Sequence, residues 1–226
     1  EVILDGATRV TAFQQLGYPH IVVQVVDLAR DNVQLHTWHH AIRGCEEREV
    51  FDLIERAEGL RITEMDADQL EHALWERNAL GYFAGISGSG CLIEMAGHVR
   101  GPGVPWARAL EKLVDVYGVI GEVERTLMSD IDELRSQYND LAGLFVYAQL
   151  SPEIVLRTAA GGQLMPAGLT RFIIPGRILR LNVPLDILAN DIPLHAKADW
   201  LDGVVREKLA GRSLRYYEEP VMLLDE

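Results

Sequence analysis

The sequence predicts a fold of the α+β class, because segments with strand character are intermixed with segments of helical periodicity and only short turns separate them. In residues 79–97, two apolar stretches flank a Ser-Gly-Ser-Gly corner, which is typical of a β-hairpin. In residues 106–118, apolar side chains recur at helical spacing after Pro105, a residue type that fits the first turn of a helix. No internal repeat or low-complexity tract interrupts this pattern.

The first segment of the chain predicts a strand, a tight corner, a helix and a second strand. Residues 2–4 form an apolar run that Asp5 and Gly6 stop. Apolar residues then follow at helical spacing over 10–16, and a second buried strand is expected over 20–27. Because the chain begins inside a predicted strand, we expect residues to precede Glu1.

The later elements are predicted from the same two periodicities and from helix-capping residues such as Asp66 and Ser151. The expected strands cover 33–42, 60–63, 79–86, 91–97, 141–149, 170–174 and 214–224. The expected helices cover 48–57, 67–77, 106–118, 129–139, 153–162 and 197–210. We place a domain boundary near Gly59, which gives an N-terminal lobe of residues 1–59 and a C-terminal lobe of residues 60–226.

Composition and charge narrow the class of protein. The net charge of −13 opposes the counterion-release attraction that nucleic-acid binding depends on, and no cluster of Lys or Arg offsets it, so a nucleic-acid partner is disfavoured. No apolar run approaches the roughly 20 residues that a membrane span needs. Cys45 and Cys91 show neither disulfide nor zinc spacing, which favours reduced thiols and a cytoplasmic location.

The corner at Asp5 is a candidate anion site. The free amides at a helix start favour an anion, and a guanidinium can grip phosphate oxygens in a bidentate manner, so Gly6, Ala7, Thr8 and Arg9 are candidate phosphate ligands. Asp5 lies at the lip of this corner, where a carboxylate can hold Mg²⁺ or orient a hydroxyl. The alternative is an ordinary Asp-Gly turn with a capping hydroxyl.

Two further stretches carry candidate binding residues. Thr170 and Arg171 can bind a carboxylate or phosphate, or they are ordinary residues of a strand surface, and Arg177 with Arg180 either extends this positive wall or forms surface charges. In residues 36–40, Trp38 alternates with His36 and His40, so these three are expected on one sheet face, as a pocket wall or as core. The histidine cluster there also leaves a metal or haem site open.

The quoted stretches together resemble a known family. The opening strand with DGATR, the segment VQLHTWHHAI and the segment PAGLTRFIIPGRILRLN resemble the ParB/sulfiredoxin-like superfamily, and within it the ParB-like free L-serine kinases, including those of siderophore biosynthesis. The resemblance implies a ParB-like N-terminal lobe, with its front part missing, packed on a mixed α/β C-terminal lobe. It implies a kinase that uses ATP or ADP with Mg²⁺ to convert free L-serine into O-phospho-L-serine.

The resemblance also implies roles for individual residues. Asp5 would be catalytic and a Mg²⁺ ligand, the residues from Gly6 to Arg9 would bind nucleotide phosphate, and the C-terminal lobe would close the substrate site. The amino-acid pocket would be formed by Trp38, His40, Thr170 and Arg171. The related kinases also use a Glu upstream of the DG corner, and residues 1–226 offer no matching position.

Two other functions remain open from the sequence. The chain can be a ParB-like regulatory protein that binds DNA or a small effector without turnover, which a basic helix-turn-helix segment would favour. It can also be a ParB-type switch that hydrolyses a nucleotide independently of serine. A homodimer is compatible with each of these functions.

Overall fold

The chain forms two compact units in the computed structural model, which describes residues 2–28, 30–97 and 103–211. The larger unit is continuous and covers Gln34–Ile173. Among the described residues, the smaller unit combines Ile3–Val33 with residues 174–211. The predicted strand over 214–224 lies outside the described residues.

Helices and antiparallel strands alternate along the described chain, which confirms the predicted α+β class. The strands are β1 (Gln34–Thr37), β2 (His39–Arg43), β3 (Leu60–Asp66), β4 (Gly81–Gly85), β5 (Ser89–Met95), β6 (Glu122–Thr126), β7 (Leu141–Tyr147) and β8 (Thr170–Ile173). The helices are α1 (Ala7–Gln15), α2 (Glu47–Glu55), α3 (Ala67–Arg77), α4 (Val104–Tyr117), α5 (Ile131–Arg135), α6 (Pro152–Ala160), α7 (Leu185–Ala189) and α8 (Leu194–Ala210).

The larger unit is built on a six-stranded sheet with the order β3-β5-β4-β7-β2-β6. Strands β4 and β5 form the predicted hairpin, with Phe83 opposite Cys91. Every residue of β4 and β7 is buried, because helices cover both faces of the sheet at these central strands. This burial explains why both strands are apolar runs without the polar alternation of a half-exposed strand.

The two faces of this sheet carry different cores. On one face, Leu70 and Leu74 of α3 pack in a cluster with apolar residues of β4, β5 and β7. On the other face, aromatic rings pack together: Tyr117 stacks on Phe145 with centroids 4.1 Å apart, and Phe83 is tilted against Phe145 with centroids 4.8 Å apart. Such ring pairs add specific geometry to the burial of apolar area.

The predicted single strand over 33–42 is divided at Trp38. Strand β1 pairs with β8 in a separate two-stranded sheet, whereas β2 pairs with β6 and β7 in the large sheet. The backbone N–H of Trp38 donates to the carbonyl of Leu169, 2.8 Å away, and this bond lies at the point where the chain changes sheets.

The smaller unit is helical in its described part. Helices α1, α7 and α8 belong to it, and the predicted strands over 2–4 and 20–27 are wrong, because neither segment has strand pairing among the described residues. Val23 and Val25 are 62% and 74% exposed, so their β-branched side chains are not buried as the prediction required. Apolar composition alone therefore gave a misleading strand signal here.

The observed units divide at other positions than the predicted lobes. A boundary at residue 59 would separate β2 from β3, yet both strands belong to the same six-stranded sheet. The observed division lies at Val33 and at Ile174, so both ends of the chain contribute to the smaller unit.

Other differences concern short or polar elements. The predicted helix over 129–139 is reduced to α5, and β6 and α7 were not predicted. Strand β6 (Glu122–Thr126) is charged and mostly exposed because it lies at the edge of the large sheet, where no periodic apolar pattern is required. Within the described residues, none of the helices has the length and apolar character needed to cross a membrane.

We predict that Leu70→Ala lowers the free energy of unfolding by about 2–5 kcal/mol, because it leaves a cavity in a fully buried cluster. Leu164→Ala is the matched control, since this leucine is 78% exposed and should change stability by less than about 0.5 kcal/mol. Urea unfolding followed by circular dichroism measures both values. Equal effects of the two substitutions would contradict the assignment of Leu70 to the core.

Candidate functional site

The predicted anion corner lies in the smaller unit at the start of α1. Gly6 is the N-cap residue and has a φ of 85°, a left-handed conformation that glycine adopts without steric cost. No side chain caps this helix start, so the first-turn amides of Ala7, Thr8 and Arg9 have no side-chain acceptor at the cap. Amides at a helix start, together with the helix dipole, favour an anion at this position.

Asp5 is engaged by two guanidiniums at this corner. One of its carboxylate oxygens accepts a hydrogen bond from the Gly6 N–H at 2.7 Å. The other oxygen forms ion pairs with Arg9, at 3.6 Å, and with Arg177, in close contact. Asp5 thus supports its own corner and also pairs with two cations there, while no hydroxyl caps the helix start as the alternative expected.

The position of Arg177 depends on a turn and on one amide side chain. The Arg177 N–H donates to the carbonyl of Ile174 at 3.2 Å across Pro175 and Gly176, and Gly176 has a φ of 65°, which together are features of a type II turn. The Gln24 side chain donates to the Gly176 carbonyl at 3.3 Å and accepts from the backbone N–H of residue 178 at 3.0 Å. Hydrogen bonds therefore hold the backbone that carries Arg177. The sequence alone did not decide whether Arg177 belongs to a positively charged binding surface or is an ordinary surface charge.

Asp5 does not fit a preformed metal ligand in this arrangement. Both of its oxygens already interact with the Gly6 N–H or with guanidiniums. In the described parts of the chain, no group of three or more His, Cys, Asp or Glu side chains is placed to hold a metal ion. The predicted Mg²⁺ role of Asp5 is therefore without geometric support.

The second candidate group lies in the larger unit, where β1 and β8 pair. The register places Thr37 opposite Thr170 and His36 opposite Arg171. The Arg171 guanidinium lies over the Trp38 ring, 4.8 Å from its centroid, which is a cation–π distance. The structure thus brings the Arg171 guanidinium and the Trp38 ring together. The Thr170 side chain lies on the opposite face of the two-stranded sheet, with Thr37, because successive residues of a strand alternate between faces.

His40 is in the core and not on a pocket surface, which corrects its predicted role in contacting substrate. Its side chain is 2% exposed. Both ring nitrogens are already used, by the Tyr117 hydroxyl at 2.6 Å and by the Gly168 carbonyl at 3.0 Å. Burial is the main cause that lowers the pKa of His40, so the ring is neutral near pH 7.

His36 and His40 do not share one sheet face with Trp38 as predicted, because the chain changes sheets at Trp38. His36 and His39 instead line a cavity of about 230 Å³, while His40 is buried in the core. The remaining lining residues of this cavity are Thr37, Glu71, Leu74, Trp75, Tyr82, Leu127, Ser129, Val146, Tyr147 and Gln149.

His39 is neutral and has a defined tautomer. Its Nδ1 accepts a hydrogen bond from the Tyr147 backbone N–H at 3.2 Å, so the ring proton is on Nε2. Burial, followed by the neighbouring His40, lowers the pKa of His39 from 6.5 to about 4. In the same cavity, burial and the nearby Glu71 raise the pKa of Tyr82 to about 12.

Comparison with known proteins gives one curated relative of high coverage. The chain is 26% identical over all 226 residues to the ATP-dependent L-serine kinase SbnI of Staphylococcus aureus (strain NCTC 8325 / PS 47), and the match covers 79% of that protein. No protein-family model matches the chain.

Solved structures of serine kinases share the fold. The structure of SbnI with a C-terminal truncation matches with a TM-score of 0.65 and 22% identity, over 92% of this chain and 77% of that one. A free serine kinase in complex with AMP matches with a TM-score of 0.59 and 19% identity, over 76% of this chain and 67% of that one. The resemblance to free serine kinases that the sequence predicted is confirmed, and the chain has their fold.

We predict that acid destabilises the protein between about pH 6.5 and pH 4 partly through His39. The folded pKa is below the unfolded value, so the unfolded chain binds more protons in this window and the free energy of unfolding falls as pH falls. The contribution is up to about 1.4 kcal/mol per pH unit for this group. Well above pH 6.5, His39 is neutral in both the folded and the unfolded state, and the effect vanishes.

The variant His39→Asn tests this prediction, because it keeps an acceptor for the Tyr147 N–H but does not titrate. Its stability should fall less steeply than that of the wild type between pH 6.5 and 4.5 in urea unfolding. His72→Gln is the control, since His72 has a side chain that is 78% exposed and its removal should leave the slope of the wild type. Parallel curves for wild type and His39→Asn would refute the assignment.

Proposed function

We propose that this protein is a kinase that transfers a phosphoryl group from ATP or ADP to the hydroxyl of free L-serine and releases O-phospho-L-serine. The observation that carries the proposal is the match over the whole chain to an ATP-dependent L-serine kinase. The residues that the motif assigns to phosphate and to the amino acid form two groups, each of which has a suitable local geometry.

For the nucleotide, we assign the corner at the start of α1. The first-turn amides and the guanidiniums of Arg9 and Arg177 supply hydrogen-bond donors and positive charge for phosphate oxygens. Phosphoryl transfer is catalysed largely by positioning and by stabilising charge, so such donors account for much of the work. In this proposal the incoming phosphates would displace the Asp5 carboxylate from its guanidiniums, and the catalytic role that the motif assigns to Asp5 is part of the same proposal.

For the amino acid, we assign Arg171 and Trp38, with Thr170 as the neighbouring residue of β8. The guanidinium can bind the serine carboxylate, and the Trp38 ring can form an apolar wall or contact the ammonium group. The Thr170 side chain lies on the opposite face of β8 from Arg171, so its hydroxyl is given no contact with the serine. Magnesium enters the proposal as part of the nucleotide substrate, because the described residues do not form a metal cluster. No step is assigned to a protein-bound metal.

The wider context is also part of the proposal. It includes a supply of phosphoserine to siderophore synthesis, a cytoplasmic location and assembly as a homodimer. The net charge of −13 argues against a nucleic-acid partner.

The direct experiment incubates the intact protein with L-serine, Mg²⁺ and either ATP or ADP, and detects phosphoserine by mass spectrometry. We expect serine-dependent product with at least one donor, and we expect D-serine and L-alanine to give none. Nucleotide hydrolysis that does not depend on serine would replace the proposal by a switch. Absence of turnover together with tight DNA retention would replace it by a regulator.

We predict that Arg9→Ala and Arg177→Ala each weaken nucleotide binding by about tenfold, which corresponds to a loss of about 1.4 kcal/mol. Each removes a charged donor for phosphate oxygens, whereas both side chains are exposed enough that the fold should persist. Arg48→Ala is the matched control, because Arg48 is exposed and paired with Asp52 on α2 in the larger unit. Isothermal calorimetry with ADP measures the affinities, and equal values for wild type and both variants would contradict the assignment.

A further inference from the structure

A chain of buried polar groups runs through the larger unit and ends at the backbone before β8. Tyr147 lies on β7, Tyr117 at the end of α4 and His40 on β2, and each is at most 3% exposed. The two tyrosine hydroxyls are in close contact, the Tyr117 hydroxyl is 2.6 Å from His40 Nδ1, and His40 Nε2 is 3.0 Å from the Gly168 carbonyl oxygen. Polar groups are retained in a core when all of them are paired, as here.

The direction of every hydrogen bond in this chain follows from its last member. A carbonyl oxygen only accepts, so His40 Nε2 carries the proton and donates to Gly168. The neutral ring then has an acceptor at Nδ1, so the Tyr117 hydroxyl donates to His40. Because the Tyr117 proton is used in this way, its oxygen accepts from the Tyr147 hydroxyl.

The electrostatic surroundings agree with this direction. Burial raises the pKa of both tyrosines, so the hydroxyls keep their protons, and burial lowers the pKa of His40. The charged and titratable neighbours are Arg125, which further disfavours protonation of His40, and the neutral His39. His40 therefore remains in one tautomer.

The end of the relay is next to the candidate amino-acid site. Gly168 precedes Leu169, whose carbonyl accepts from the Trp38 N–H at 2.8 Å, and Thr170 and Arg171 follow directly in β8. The backbone at 168–169 is thus held by His40 on one residue and by Trp38 on the next. Gly168 has a φ of 83°, and its Cα lies beside the His40 ring. The two hydrogen bonds at residues 168 and 169 hold the backbone in this conformation.

We propose that His40 is a positioning residue of the amino-acid site: as the neutral Nε2–H tautomer at the end of the relay Tyr147–Tyr117–His40, it fixes the backbone that presents Arg171 beside Trp38. Its effect on serine binding rests on the proposed function. The relay itself and its hold on residues 168–171 do not.

The kinetic test compares two substitutions that each keep one half of the imidazole. His40→Gln retains a donor near the Nε2 position, whereas His40→Asn retains only the Nδ1 side and cannot reach Gly168. We expect His40→Asn to raise KM for serine by fivefold or more while KM for ATP stays within twofold, and we expect His40→Gln to stay within about twofold of wild type for both. A purely structural role predicts similar losses of Tm and kcat in both variants with no selective change in KM for serine.

A second readout does not need turnover. Nitrogen-15 NMR of the histidine rings at pH 7 should show His40, assigned by its loss in His40→Gln, as the Nε2–H tautomer. Tyr117→Phe removes the donor to Nδ1 and should shift the His40 Nδ1 resonance. The Trp38 indole resonance, assigned with Trp38→Phe, should move in His40→Asn and remain in place in His40→Gln.

The outcomes separate the two hypotheses. If the wild-type protein does not phosphorylate serine, the kinase proposal is wrong. The NMR measurements of the His40 tautomer and of the Trp38 indole would still decide whether the relay holds this backbone. An Nδ1–H or charged His40 at pH 7, or an unmoved Trp38 indole in folded His40→Asn, would overturn the positioning role. If His40→Asn does not fold, the Tyr117→Phe resonances decide instead: an unchanged His40 signal overturns the relay.

Discussion

The pairing of β7 with β2 and β4 is the constraint on which the candidate amino-acid site depends. Because β7 is buried along its whole length, its register against both neighbours is specified, since a slip by one residue would exchange the residues of its two faces. This register places His40 opposite Phe145 and brings the Tyr147 N–H to His39. Groups with polar chemistry are thus positioned by the packing of an apolar strand.

The change of sheet at Trp38 connects the large sheet to the two-stranded sheet that carries the candidate amino-acid site. Strand β2 belongs to the large sheet, while β1 pairs with β8. Trp38, the residue between β1 and β2, therefore lies where the two sheets meet. The Leu169 carbonyl takes up the Trp38 N–H, which leaves no orphan donor at the break. The alternating pattern predicted one continuous strand. The structure instead has a break at Trp38, and the Trp38 ring contacts the Arg171 guanidinium at this break.

Local signals predicted the elements that local chemistry determines. The hairpin corner at 87–90, the apolar stripe of α3 and the Ser151 cap of α6 all have their cause within a few residues, and all are present. The core position of His40 could not be predicted because its hydrogen-bond partners are 77 and 128 residues away in the chain, and no local pattern encodes them. The segment 20–27 failed for the converse reason, since strand propensity is expressed only where a partner strand exists.

The two candidate groups differ in how tightly their charges are held. The guanidiniums of Arg9 and Arg177 meet Asp5 at an exposed corner, and exposed ion pairs contribute only about 0–1 kcal/mol, so an incoming phosphate can take over these cations at little cost. The relay behind Arg171 is buried, and breaking one of its bonds would leave a desolvated polar group unpaired. An exchangeable carboxylate suits a nucleotide that must enter and leave at every turnover, whereas a fixed backbone suits the discrimination of one small amino acid.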